Sequence, residues 1–293
     1  AELADGFVAE PLTSHEILST QAGVLYPGQS HRAYRAQGIV ALAESDGTVV
    51  LVTTGTEGAE SPLYLVRCTA GECVTAQTTI SRWWATTYSG GAVGVGPDGT
   101  VYAVIDNAGP AGNHDTGLVL ATLSPAGDLS TQFLPESGDE TTYTSAQGVS
   151  LAVGPDGTAW VLHLASPGRT ELIRCDDATC SSRATSTHAE IEQGMAVLAV
   201  DSTGRPLIAT PDRASGGVSL LGCSDRDCAD LAEVRLWTAG RGEAVGVSER
   251  HDEHVALALA LDGELPVIVV ADPHRLAGGD RIIRCATARC GAG

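Results

Sequence analysis

Lysine is absent from this 293-residue chain, so its 17 cationic side chains are all arginines, set against 36 carboxylates for a formal charge of −19. A surface of that sign repels phosphates, and no basic cluster offsets it, so no nucleic-acid partner is expected. Aromatic residues make up only 4% of the chain, so the core must be aliphatic and each aromatic stands out. No apolar run approaches the roughly 18 residues that a membrane-spanning helix needs. No segment sustains a helical period. Gly-x-Ser-x-Gly, His-Glu-x-x-His and phosphate-loop motifs are missing, as is an Asp-x-Asp-x-Asp-Gly calcium loop. These gaps give the sequence no cofactor and no metal site. The helix-free pattern directs attention to strands.

Eight cysteines fall in four local pairs with four residues between partners: Cys68/Cys73, Cys175/Cys180, Cys223/Cys228 and Cys285/Cys290. Each pair follows a short apolar strand, such as Leu63 to Arg67 or Arg281 to Arg284. Upstream lies a glycine turn, at Asp46-Gly47, Asp156-Gly157, Thr203-Gly204 and Asp262-Gly263. The distances from turn to first cysteine are 22, 19, 20 and 23 residues, and a fixed order at near-fixed spacing marks a repeat architecture. A fifth copy, beginning at Val93 and turning at Asp98-Gly99, has Leu123 where its first cysteine would be and Leu129 just past the second. There an apolar cross-strand pair is expected to replace the bridge. Local pairing predicts four disulfides and an oxidising, secreted or extracellular setting. Zinc is the rival reading, disfavoured because the pairs lack nearby histidines and fall in different repeats. Each bridge closes a short loop, worth roughly 2 kcal/mol in the loop-entropy model, so pinning hairpin register is the larger role.

Each repeat parses as four strands. The first is apolar and small, as in Val149 to Val153. The second leaves the glycine turn, the third enters the cysteine turn, and the fourth is more polar, as in Leu231 to Leu236. Asp-Gly between apolar strands is a strong hairpin signal. The expected fold is all-β: a five-bladed β-propeller of four-stranded antiparallel blades with four intra-blade disulfides. One domain over residues 1–293 holds blades at about 37–80, 91–134, 147–189, 194–237 and 254–293. Residues 6–13 supply the last blade's fourth strand and close the ring, with Pro11 tolerated on the free edge. The start Ala1-Glu2-Leu3-Ala4-Asp5 reads as a mature terminus after cleavage.

The phrase Gly-Pro-Asp-Gly-Thr before an apolar strand, at residues 96–100 and 154–158, resembles bacterial secreted propellers of the NHL and sialidase Asp-box type. The overall plan is similar to five-bladed lectins of the tachylectin kind. Only Asp156-Gly157-Thr158-x-Trp160 approaches the Asp-box pattern.

Function is expected on the face carrying the inter-blade loops, because varied loops on a rigid scaffold are where binding usually sits. Trp83, Trp84, Tyr88 and Tyr143 lie in those loops. Flat rings stack on sugars and also anchor protein interfaces, while adjacent tryptophans also serve to plug gaps between blades. Gln37, Gln147, Gln193 and Glu253 begin the innermost strands, where they either read hydroxyls or hold channel water. Asp106 and His114 stand in the long loop of the second blade. From these residues the reading is a carbohydrate-binding, lectin-like domain recognising a cell-surface or cell-wall glycan, and not an enzyme. The alternative is a domain that docks a secreted protein partner. A glycosidase or lactonase fits less well, since the predicted axial ring has Glu253 as its single carboxylate and glycoside hydrolysis needs a pair.

Overall fold

The computed structural model describes residues 40–43, 49–54, 60–69, 72–82, 91–105, 108–110, 117–135, 149–166, 169–189, 191, 196–212, 217–237, 256–271 and 281–290. For β1, β2 and several strand ends the description is of the backbone alone. The chain falls into two compact units, Ala1–Arg35 and Ala36–Gly293. The first lies outside the described residues, and every described residue belongs to the second.

Every described element of regular structure is a strand. The first sheet holds β1 (Val40–Ala43), β2 (Val49–Thr54), β3 (Glu60–Thr69) and β4 (Glu72–Arg82). The second has β5 (Gly91–Val95), β6 (Val101–Ile105), β8 (Gly117–Leu123) and β9 (Leu129–Pro135). The third runs β10 (Val149–Val153), β11 (Ala159–Ser166), β12 (Arg169–Cys175), β13 (Arg183–His188). The fourth is β14 (Val197–Val200), β15 (Pro206–Asp212), β16 (Gly217–Cys223), β17 (Leu231–Trp237), and the fifth β18 (Ala256–Asp262), β19 (Leu265–Ala271), β20 (Arg281–Arg284). Neighbours in each sheet are antiparallel and follow chain order. The first strands lie side by side, β1 with β5, β5 with β10, β10 with β14 and β14 with β18. Antiparallel sheets set around shared inner strands make the molecule a β-propeller.

Packing explains the composition. The two middle strands of a blade are covered on both faces, so their alternate residues feed two different cores. Val101, Ala103 and Ile105 of β6 join Leu63, Leu65 and Ile80 of the first sheet, whereas Tyr102 and Val104 join Leu151, Val161 and Ile173 of the third. Likewise Trp160 and Leu162 face the fourth sheet while Ala159 and Val161 face the second. Strands buried on both sides read as continuous apolar runs rather than alternating ones. Outer strands alternate instead, as β13 does from exposed Arg183 to buried His188. At the axis space is short: a Cβ on Gly94 would meet Val153 Cγ2 at 3.1 Å.

Three cysteine pairs are bridged, Cys175–Cys180, Cys223–Cys228 and Cys285–Cys290, with Cα separations of 4.5, 4.8 and 4.8 Å. Each bridge sits in the core facing the preceding sheet. For the fourth pair, Cys68 stands opposite Cys73 in backbone register, and the expected bridge falls on side chains outside the description. Leu123 pairs with Leu129 and both pack in the first core, so an apolar pair does stand where a bridge would be. In the described bridges the second cysteine takes a left-handed backbone, with φ of 57°, 50° and 51° at Cys180, Cys228 and Cys290.

Two features differ from the sequence expectation. The full four-stranded blade is seen four times, while the fifth sheet has three described strands and β20 pairs with β19 alone. The expected closing strand, residues 6–13, lies outside the described residues. In the second blade, the stretch expected as plain loop contains β7 (Ala108–Pro110), which pairs with the outer strand of the first sheet as Ile80↔Pro110, Ser81↔Gly109 and Arg82↔Ala108. Three residues with a terminal proline carry no strand signal by themselves, and the pairing exists because β4 offers an edge.

Candidate functional site

The glycine turns place the site. In β5–β6 the Gly99 N–H donates to Gly96 O at 2.9 Å and the Gly96 N–H to Thr100 O at 2.8 Å. Pro97 suits the second turn position and Gly99, at φ 83°, supplies the left-handed step that follows it. Asp98 locks the turn by accepting from the Thr100 N–H and hydroxyl at 2.9 Å each. Those bonds, the backbone one first, hold its carboxyl below the usual value. The β10–β11 turn repeats the design, with Asp156 accepting from Thr158 N at 3.0 Å.

The β14–β15 turn carries its carboxylate two residues earlier. Asp201 takes the place that Gly96 and Gly154 hold, and Oδ1 accepts from Thr203 N (2.8 Å), Thr203 Oγ1 (2.5 Å) and Arg205 N (3.0 Å). Burial pushes its pKa up, but these bonds outweigh that and hold it ionised below the ordinary value. The β18–β19 turn has two central residues, Gly263 and Glu264, because Asp262 pairs directly with Leu265.

These turns surround one open cavity of about 490 Å³. Its collar is aliphatic: Val95, Val153, Val200 and Leu261, the same position in four sheets. Its rim carries Asp201, Ser202 and Glu264 from the fourth and fifth sheets, and Arg67 reaches in from β3 of the first. Since all five sheets contribute, the cavity lies on the propeller axis, on the hairpin face.

Arg67 holds an unusual position. Its guanidinium lies across the Gly99 turn of the next sheet, where a Cβ would sit 2.8 Å from Nη2. Its Nε is buried without a hydrogen-bond partner. The matching arginines are paired. Arg174 donates from Nε to Asp176 at 2.9 Å and from Nη1 to Asp227 at 2.6 Å, with Cζ 6.0 Å from the Trp160 ring centre. Arg284 Nη1 lies 3.9 Å from Asp262 Oδ2. A repeated Arg-Cys dipeptide was the available sequence signal, but which copy leaves a donor open depends on neighbouring sheets.

A second polar group is sealed in the third sheet. His163 stands opposite Glu171 in register, both are buried, and Arg169 Nη2 lies 3.0 Å from Glu171 Oε1. Among the described residues no group of three or more His, Cys, Asp or Glu side chains is placed to hold a metal.

The described lining of the axial cavity holds other residues than those read from sequence. Trp83, Trp84, Tyr88, Tyr143, Gln37, Gln147, Gln193, Glu253, Asp106 and His114 all lie outside the described residues. The described cavity opens on the turn-bearing face.

No family model matches the chain, and no curated protein does. Among solved structures it is similar to an α-L-arabinanase of Penicillium chrysogenum complexed with arabinobiose, at 10% identity over 87% of this chain and 78% of that one, TM-score 0.47. A GH43 β-1,3-galactosidase with galactodeoxynojirimycin matches at 12% identity over 85% and 90%, TM-score 0.41. Puromycin hydrolase matches at 17% over 86% of this chain but 39% of its own length, TM-score 0.44. These neighbours are enzymes by name, several of them glycoside hydrolases, so the expectations of a lectin and of a non-enzyme are both set aside. At such identities and TM-scores the likeness assigns no activity to this chain.

Proposed function

We propose that this propeller is a disulfide-clamped recognition scaffold of a secreted protein, and that its axial mouth on the hairpin face receives a segment of a protein partner. In this reading the ring is five-bladed, the plan its repeats resemble. The support is the convergence of all five sheets on one cavity with an aliphatic collar and a charged rim. A volume near 490 Å³ lies within the range of small-ligand and side-chain pockets. The collar suits an apolar side chain, and the rim offers backbone groups and both signs of charge. Rigid hairpins around it keep the entropy cost of binding low. The three described bridges, all on this end of the strands, preserve that geometry in an oxidising setting.

A display library of short random peptides, panned on the oxidised protein, tests this. Enriched peptides should bind Ser202→Trp at least about tenfold more weakly, because the indole fills the mouth from an exposed turn position. Failure to enrich any peptide, or equal affinity for the Trp variant, refutes the reading.

A further inference from the structure

We infer that Arg67 makes one sector of the axial mouth a carboxylate-binding site, so that the segment received there carries an acidic side chain. This rests on the mouth being a peptide site, as proposed above. Arg67 lies at the cavity wall with Nε buried and unpartnered. A buried charged donor without an acceptor is costly, and a turn of the guanidinium toward an incoming oxygen that accepts from it recovers that cost. The equivalents Arg174 and Arg284 each meet a carboxylate from their own or the next sheet, so acidic oxygen is what this position takes when one is near. At Arg67 the neighbouring turn presents Gly99 in place of an acceptor side chain, and the guanidinium packs against it. Asp98, a carboxylate that feels the Arg67 charge, accepts from Thr100 with both oxygens. Asp201 and Glu264 on the same rim repel a multiply charged anion, which favours a single carboxylate over phosphate.

The first arm uses ¹⁵N-arginine-labelled protein at constant ionic strength, titrated with sodium acetate and separately with inorganic phosphate. One Nε–H signal, assigned by its loss in Arg67→Gln, should move downfield and saturate with acetate, and respond less to phosphate. The second arm measures panned peptides: their acidic residue changed to its amide should cost roughly tenfold in affinity with wild type and almost nothing with Arg67→Gln. Arg67→Lys retains the charge without the Nε donor and should also lose the preference; it serves if the Gln variant does not fold. No acetate response, a response to phosphate alone, or an acid preference that survives both variants overturns the inference. If peptides bind in the mouth without acid preference, the docking reading stands and this one falls. If acetate moves the signal but no peptide is enriched, the carboxylate site stands and the peptide reading falls.

Discussion

Removing the third-sheet bridge in two ways separates its tether from its backbone strain. Cys175→Ala with Cys180→Ala abolishes a link between residues five apart, worth about 2 kcal/mol of loop entropy. Both sulfurs are buried in the core between the second and third sheets, so lost packing adds to that cost. The alanine at 180 would still have to hold φ near 57°. That region costs an L-residue about 1–2 kcal/mol, and glycine avoids it at about 0.5–1 kcal/mol of extra chain entropy. Cys175→Ala with Cys180→Gly should therefore be more stable than the double alanine by on the order of 1 kcal/mol or slightly less. Urea denaturation of the two variants beside wild type, without reductant, gives both differences. If the glycine variant is the less stable one, the cysteine backbone is not strained as argued.

Other expectations follow from the same geometry. Gly99→Ala, at φ 83° and 2.8 Å from Arg67 Nη2, should destabilise the propeller by about 1–2 kcal/mol in urea melts and broaden or shift the Arg67 Nε–H signal. Asp177 accepts from the Ser181 and Thr179 hydroxyls and from the Ser182 N–H, which hold its carboxyl well below the usual carboxylate range. A depressed folded value means that its contribution is complete above the unfolded value of about 3.9 and is lost as pH falls below it. Asp177→Asn should thus flatten the acid limb of a Tm-against-pH curve and change its slope little near neutrality. Arg174→Ala removes a cation over the Trp160 ring and a link to Asp227, whose side chain is largely exposed. The stability loss should stay near 1 kcal/mol or less, and the clearer readout is a red shift of tryptophan emission.

Local chemistry carried much of the fold. The β10 boundaries, Val149–Val153, match the strand read from its residues, because a small apolar run ending at a Gly-Pro-Asp-Gly turn has few alternatives. The Leu123–Leu129 pair was legible for a similar reason: the two leucines flank a turn where the other copies carry cysteines. The axial mouth was less so. Its collar positions recur in the sequence, but recurrence does not say that Val95 and Leu261 face a common cavity. Nor does composition decide that Arg174 finds two carboxylates while the Arg67 Nε finds none.

By itself the sequence determined the strand order, the hairpin turns and the pairing of cysteines in the three described bridges, since each depends on residues within about a dozen positions of one another. Tertiary structure alone decided where β7 pairs, which alternate residues of β6 and β11 face which neighbour, and what surrounds the Arg67 guanidinium. Those outcomes are set by residues far apart in the chain that meet only when one sheet packs on the next.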